Sequence, residues 1–391
     1  MLIRQTVDMS GVGTSDFRAV GELAGRGLAA TTSLIRDTHV AIADRAFTLS
    51  GPAAKPVHVA HDVISRSVYA SVGGGLRVAG ALAGAVAAKR SASAPSSVVV
   101  GALNGAWGDR LVQWSSPLAL SMSLRHDDRD LDVDRDALAE AYPDATGDVA
   151  FFVHGLCETD ASWRLGARDN YGDARSTHGE RLRSECGLTP VYVRYNTGRH
   201  VCDNGDDLAE LIGRVVGEWP APITRLTLIG HSMGGLVIRA ACHRAVAEER
   251  PWLPLVRRTV YLGSPHLGAP LEVAVTRVGV ALDKLPETKA LADALASRSV
   301  GIKDLREGDI RPLLETAVHY YIGATIGRRN DTVAARVIGD ALVPWASASG
   351  TGKRRRLALD VDRGRHLGGL NHFDLLNHPR VYEVLKTWLS E

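Results

Sequence analysis

Thr227-Leu228-Ile229-Gly230-His231-Ser232-Met233-Gly234-Gly235-Leu236 is the segment most suited to chemistry. A short apolar run ends in Gly-x-Ser-x-Gly, and a helical pattern begins at once. A sharp strand-to-helix turn of this kind holds its serine in a strained conformation and lifts the Oγ above the sheet edge. Side chains at Gly230 and Gly234 would collide with nearby backbone. The helix that follows aims free N–H groups and its positive dipole end at developing negative charge. The expected chemistry is nucleophilic attack by Ser232, with the backbone N–H of Met233 as a donor to the oxyanion. A serine hydroxyl is a weak nucleophile, so it needs a base and a third group that orients the base. His366, His372 and His378 lie late in the chain. His372 occupies a polar, Gly-containing loop before the last apolar-periodic stretch. His378 precedes Pro379, a place suited to capping.

Further blocks accompany the serine. They are Phe152-Val153-His154-Gly155-Leu156, Leu262-Gly263-Ser264-Pro265-His266-Leu267-Gly268, Gly339-Asp340-Ala341-Leu342-Val343-Pro344 and Asn371-His372-Phe373-Asp374-Leu375-Leu376. In composition and order they resemble blocks of the α/β-hydrolase superfamily, and within it the lipase-like esterases. The resemblance covers roughly residues 115–391. It implies a triad in the order Ser232, Asp340, His372, with the backbone N–H of Leu156 as the second oxyanion donor. Rivals for the acid are Asp331, Asp360 and Asp362. Rivals for the base are His378 and His366. His266 precedes the acid, contrary to that order, and is expected to be structural. His154 and His231 are expected to support local hydrogen bonds.

Elements must position these residues. After residue 115 the pattern predicts short strands alternating with helices. A weakly alternating strand at 118–125 leads through a turn at 126–129 to a short strand at 131–133. Buried-type strands are predicted at 149–153, 191–195, 226–229, 259–262 and 318–322, and a last one at 357–361. Helices are predicted at 136–142, 206–218, 236–249 and 373–389. Short apolar strands between helices imply a mostly parallel sheet covered on both faces, the α/β-hydrolase fold of the resemblance. Residues 1–112 form a separate, Ala-, Gly- and Ser-rich helical segment, with stretches at 16–49, 56–89 and 97–113. Residues 113–391 form the catalytic domain. The region 263–315 is too long for an ordinary connection and is expected to insert a helical cap.

Composition sets the outer bounds. The chain has 391 residues, 45% hydrophobic and 23% charged, which excludes wholesale disorder. Lys plus Arg number 46 against 44 Asp plus Glu, for a net charge of +2. That balance gives no field to steer nucleic acid, and 5% aromatics leave few stacking platforms. Cys157, Cys186, Cys202 and Cys242 show no C-x-x-C spacing and are expected as free thiols. No metal-ligand or phosphate-binding motif is present, so no metal and no cofactor is implied. The first residues lack a charged segment followed by an apolar run, and no apolar run is long enough to span a bilayer. A cytoplasmic protein is expected. The sequence therefore predicts a cofactor-independent serine hydrolase acting on a small or lipid-like carboxylic ester with an apolar acyl group. Acyl transfer by the same residues is the alternative enzyme. A binding protein on a hydrolase fold is the non-catalytic one.

Overall fold

The computed structural model describes residues 97–113, 115–116, 118–269, 299–309, 311–327, 340, 342–352 and 355–390. The helices expected within 1–96, and most of the expected cap, lie outside the described residues. The first element is helix α1, Ser97–Gln113. Strands β1 (Ser123–His126) and β2 (Arg129–Leu131) form a hairpin, and α2 spans Arg135–Ala141. Strand β3 (Asp148–Val153) leads through a 3-10 turn to the short α3 (Ala167–Tyr171) and to α4 (His178–Cys186). Then come β4 (Thr189–Arg194), α5 (Val201–Glu218), β5 (Arg225–His231), α6 (Met233–Ala247) and β6 (Val256–Leu262). Helix α7 (Val300–Glu307), β7 (Val318–Thr325), α8 (Trp345–Ala348), β8 (Gly364–Gly368) and α9 (Pro379–Leu389) complete the order.

All eight strands join one sheet in the order β2-β1-β4-β3-β5-β6-β7-β8. The β1–β2 and β1–β4 pairs are antiparallel, and every other pair is parallel. The parallel strands carry apolar residues to both faces, because neighbouring side chains point to opposite sides. In β3, Phe151 and Val153 join the core that holds α5 and α6, whereas Ala150 and Phe152 join the core that holds Trp163 and α9. Each large apolar side chain so buried contributes roughly 1.5–3 kcal/mol. Because these strands run parallel, the segments after β3, β5, β6, β7 and β8 all leave from one edge of the sheet. That edge is where folds of this type assemble sites.

Three expectations need correction. The strand expected at 118–125 covers only Ser123–His126, after irregular chain, and its hairpin partner is Arg129–Leu131 rather than 131–133. Residues 357–361 form no strand. Leu357 and Leu359 do face the core, but the last strand is Gly364–Gly368, a sheet edge in which only Leu367 is buried. The expected helix at 373–389 is two elements. A 3-10 turn covers His372–Leu376, and α9 starts at Pro379 with His378 as its cap. Asn377 fills the break, donating to the carbonyls of Trp163 and Leu165 and accepting the His178 amide. All four cysteines are unpaired. Among the described residues, no helix is long and apolar enough to cross a membrane.

Helix α1 packs onto the sheet domain. Asn104 donates to the carbonyls of Val100 and Leu118 and accepts the Leu120 amide. Asn196 donates to the Gly108 carbonyl, and Ser299 to that of Gly105. Gly105 lets the helix lie on the turn after β3, since a Cβ there would come within 2.9 Å of the Cys157 Cα and N. Helix propensity favours Gly→Ala by about 1 kcal/mol. Overpacking costs roughly 1–3 kcal/mol. Gly105→Ala is therefore expected to lower the midpoint of thermal unfolding. Gly217→Ala, on α5 with nothing within 4 Å of the added Cβ, is expected to raise it.

Candidate active site

The turn between β5 and α6 has the strained form that its sequence implies. Ser232 sits at φ 52°, ψ −122°, a conformation that costs a non-glycine residue about 1–3 kcal/mol. The backbone around it holds it there. The Ser232 amide donates to the Leu262 carbonyl at the end of β6 (2.8 Å), and the Gly235 amide donates to the Ser232 carbonyl (3.1 Å). A Cβ on Gly234 would be driven into the carbonyl oxygens of Val153 and His154, so α6 approaches the end of β3 only because residue 234 is glycine. Met233 is the first residue of α6, where an amide has no partner within its own helix.

His372 and Asp340 meet at the same edge. The His372 Nδ1 lies 2.7 Å from the Asp340 Oδ2, and both side chains are almost wholly buried. Two features fix this pair. The other carboxylate oxygen, Oδ1, accepts the amides of Leu342 (3.0 Å) and Val343 (2.7 Å), which leaves Oδ2 for the imidazole. The His372 amide donates to the Asp340 carbonyl (2.9 Å), so backbone as well as side chain joins the two loops. Asn371 caps the turn that begins at His372 by accepting the amides of Phe373 and Asp374. The His372 ring lies 4.7 Å, centroid to centroid, from that of His231, the residue before Ser232.

The turn after β3 faces the serine directly. A Cβ on Gly155 would lie 2.9 Å from the Ser232 Cβ. The amides on either side of Leu156 are engaged. That of Gly155 donates to the Glu158 Oε2 (2.7 Å), and that of Cys157 to the Thr197 Oγ1 (3.2 Å). His154 stacks on Tyr195 at 4.4 Å. Its Nδ1 is 3.0 Å from the Gly155 carbonyl, and its Nε2 accepts the Tyr195 amide. Burial lowers the His154 pKa, so it stays neutral and structural.

Glu158 carries no obvious signal in the sequence, where Glu-Thr-Asp resembles the solvated start of a helix. In the structure it is buried and lies 2.9 Å from the Nδ1 of the fully buried His231. Burial opposes charge on both groups. The His231 charge and hydrogen bond nonetheless hold the Glu158 pKa below its usual value, and Glu158 holds that of His231 above its own. The signal was indirect, since a buried histidine beside Ser232 needs a partner.

The rival residues have other partners. His378 caps α9 by accepting the Arg380 amide at 3.1 Å. His366 pairs with the Thr325 Oγ1 at 2.8 Å and packs against Trp345. His266 is buried near Arg239, and burial first and the arginine's charge second push its pKa well down. Arg239 in turn donates to the carbonyls of Asp309 and Arg311. Asp360 caps a 3-10 turn by accepting the Asp362 amide. Asp331 lies outside the described residues.

The buried pair makes stability depend on pH in both directions. The depressed Glu158 contributes stability above its unfolded value of about 4.3, lost as pH falls through its folded value. The raised His231 contributes below about 6.5, lost as pH rises through its folded value. The difference in unfolding midpoint between wild type and Glu158→Gln is thus expected to peak at about pH 5–6 and to shrink toward acid and alkali. Thermal unfolding across pH checks this.

A sequence profile described as a PGAP1-like alpha/beta domain matches residues 144–312, which include Ser232 and the turn after β3. With the sheet order and the strained serine, this decides the fold. The chain has the fold of the α/β-hydrolase superfamily. No curated protein sequence matches it. Solved structures similar to this α/β-hydrolase fold include a Bacillus licheniformis lipase, at 18% identity over 62% of this chain and 92% of that one, with a TM-score of 0.43. A Streptomyces coelicolor thioesterase of prodiginine biosynthesis is 20% identical over 63% and 87%, with a TM-score of 0.37. A Pyrobaculum calidifontis esterase is 15% identical over 62% and 72%, with a TM-score of 0.35.

Proposed function

We propose that the protein hydrolyses carboxylic esters with apolar acyl groups through a covalent acyl-enzyme on Ser232. The observation that carries this reading is the 2.7 Å His372–Asp340 pair beside a strand-to-helix turn with its serine at φ 52°. In this mechanism the Ser232 Oγ attacks the ester carbonyl and the His372 Nε2 takes its proton. Asp340 holds the Nδ1–H and stabilises the imidazolium that forms. The negative charge on the carbonyl oxygen is met by the amides of Leu156 and Met233. The alcohol leaves with the proton from His372. Water, deprotonated by the same imidazole, then releases the acid. Leu156 and Phe373, partly buried against the two cores on either side of the elbow, support an apolar acyl group.

A fluorophosphonate probe followed by peptide mapping is expected to label Ser232. A series of chromogenic esters of increasing acyl length is expected to be hydrolysed without added metal or cofactor. Labelling confined to another serine, or no turnover across the series by folded protein, would overturn the reading.

A further inference from the structure

The Glu158 carboxylate touches two of the three segments that build the site, and through its partner it reaches the third. Oε2 accepts the amide of Gly155, the residue before the proposed donor Leu156. Oε1 lies 2.9 Å from the Nδ1 of His231, the residue before Ser232. The His231 Nε2 lies 3.2 Å from the backbone carbonyl of His372. Both ring nitrogens of His231 therefore face acceptors, one a carboxylate and one a carbonyl. With Glu158 ionised, as the lowering of its pKa by His231 directs, only an imidazolium, with a proton on each nitrogen, satisfies both contacts. Glu158 supplies its counter-charge in a site closed to solvent.

The turn after β3 gives the carboxylate a reason to be there. Cys157, between Leu156 and Glu158, sits at φ 62°, an unfavourable conformation for a residue with a side chain. The Glu158 amide reaches back to the Gly155 carbonyl while its carboxylate holds the Gly155 amide, so residue 158 clamps the turn from both ends. Other charged or titratable groups near the pair are His154, Cys157, Tyr195, Asp340 and His372, with Asp160 beyond His154. His154 is engaged by Tyr195 and Gly155, Asp160 lies beside Arg125, and Asp340 and His372 bond each other.

We propose that Glu158, acting through a doubly protonated His231, is a positioning residue that locks the oxyanion turn and the loop of the base in register with Ser232. This rests on the serine-esterase reading above. An oxyanion donor acts on charge that develops only in the transition state. Its misplacement is read as a loss of kcat, with little change in KM.

The test compares wild type, Glu158→Ala and Glu158→Gln on one short chromogenic ester, with kcat referred to probe-titrated active sites and folding checked by thermal unfolding. Glu158→Ala removes both contacts and is expected to lower kcat about 100-fold or more, with KM within about threefold. Glu158→Gln retains an oxygen for the Gly155 amide but removes the charge. It is expected to restore kcat in part, to within about tenfold of wild type, and it remains informative if the alanine variant fails to fold. Nitrogen-15 NMR of the ring is expected to show His231 doubly protonated near neutral pH in wild type and singly protonated in Glu158→Gln. Wild-type kcat per titrated site in either folded variant, or a singly protonated His231 in wild type, would overturn the proposal and leave the esterase reading standing. Wild type unlabelled at Ser232 and inactive would instead remove the reading on which it rests.

Discussion

Ser232→Ala is expected to remove ester hydrolysis, by about four to six orders of magnitude in turnover, while the protein stays folded. The contacts that hold residue 232 are made by its backbone, through the Leu262 carbonyl and the Gly235 amide, and alanine keeps both. Alanine also keeps the Cβ, so the strain at φ 52° persists and the unfolding midpoint should stay near that of wild type. Glycine gives a sharper comparison. It adopts positive φ without a steric cost, so Ser232→Gly should be as inactive as alanine yet at least as stable. Stability retained while activity is lost is the signature of a residue strained for its chemistry. Kinetics on a chromogenic ester, probe labelling and thermal unfolding of the three proteins check this. Near-normal turnover in Ser232→Ala would reject the assignment of the nucleophile.

What could be read in the sequence follows from how local each interaction is. The strands from β3 to β7 were legible because burial on both faces writes them as apolar runs. The turn at Ser232 was legible because its residue types cluster within a few positions; the contact that requires Gly230 is local, with Gly234 and Gly235, although the one that requires Gly234 is with the distant end of β3. Strand β8 was hidden because an edge strand that buries only Leu367 carries almost no apolar pattern. The adjacent 357–361 stretch does carry one, since Leu357 and Leu359 reach the core from irregular chain. The break at Asn377 was masked by apolar residues that run on through it, and the groups that pay for it come from Trp163, Leu165 and His178. Glu158 was illegible for the same reason, since its partner His231 is distant in sequence and meets it only when β3 and β5 pair. The resemblance suggested Asp340 and His372. Only the structure shows what holds them, namely a carboxylate with one oxygen fixed by the Leu342 and Val343 amides and the other facing the imidazole.

That division of labour within Asp340 sets the second large effect. In Asp340→Asn the side-chain oxygen can still accept the Leu342 and Val343 amides, so the turn should persist. The amide nitrogen then faces the His372 Nδ1 and donates to it. This forces the proton onto Nε2, the nitrogen that must accept from the Ser232 hydroxyl. A wrong tautomer in an intact frame lowers turnover by about 10⁴-fold where this has been tested in such triads. Asp340→Asn is expected to show a loss of that order with a nearly unchanged unfolding midpoint. His372→Ala should lose as much as Ser232→Ala, because members of a triad act as a unit. The two rival histidines serve as controls. His378→Ala removes a helix cap and is expected to cost about 0.5–2 kcal/mol of stability with little effect on turnover per titrated site. His366→Ala loses the contact with Thr325 and should behave likewise. Stability and activity are thus expected to separate, with Asp340→Asn inactive but stable and the controls active but less stable, whereas His372→Ala leaves the buried Asp340 carboxylate without its imidazole and loses stability as well. An inactive His378→Ala beside an active His372→Ala would show that the base had been placed on the wrong loop position, and the 2.7 Å pair with Asp340 would then be a structural contact alone.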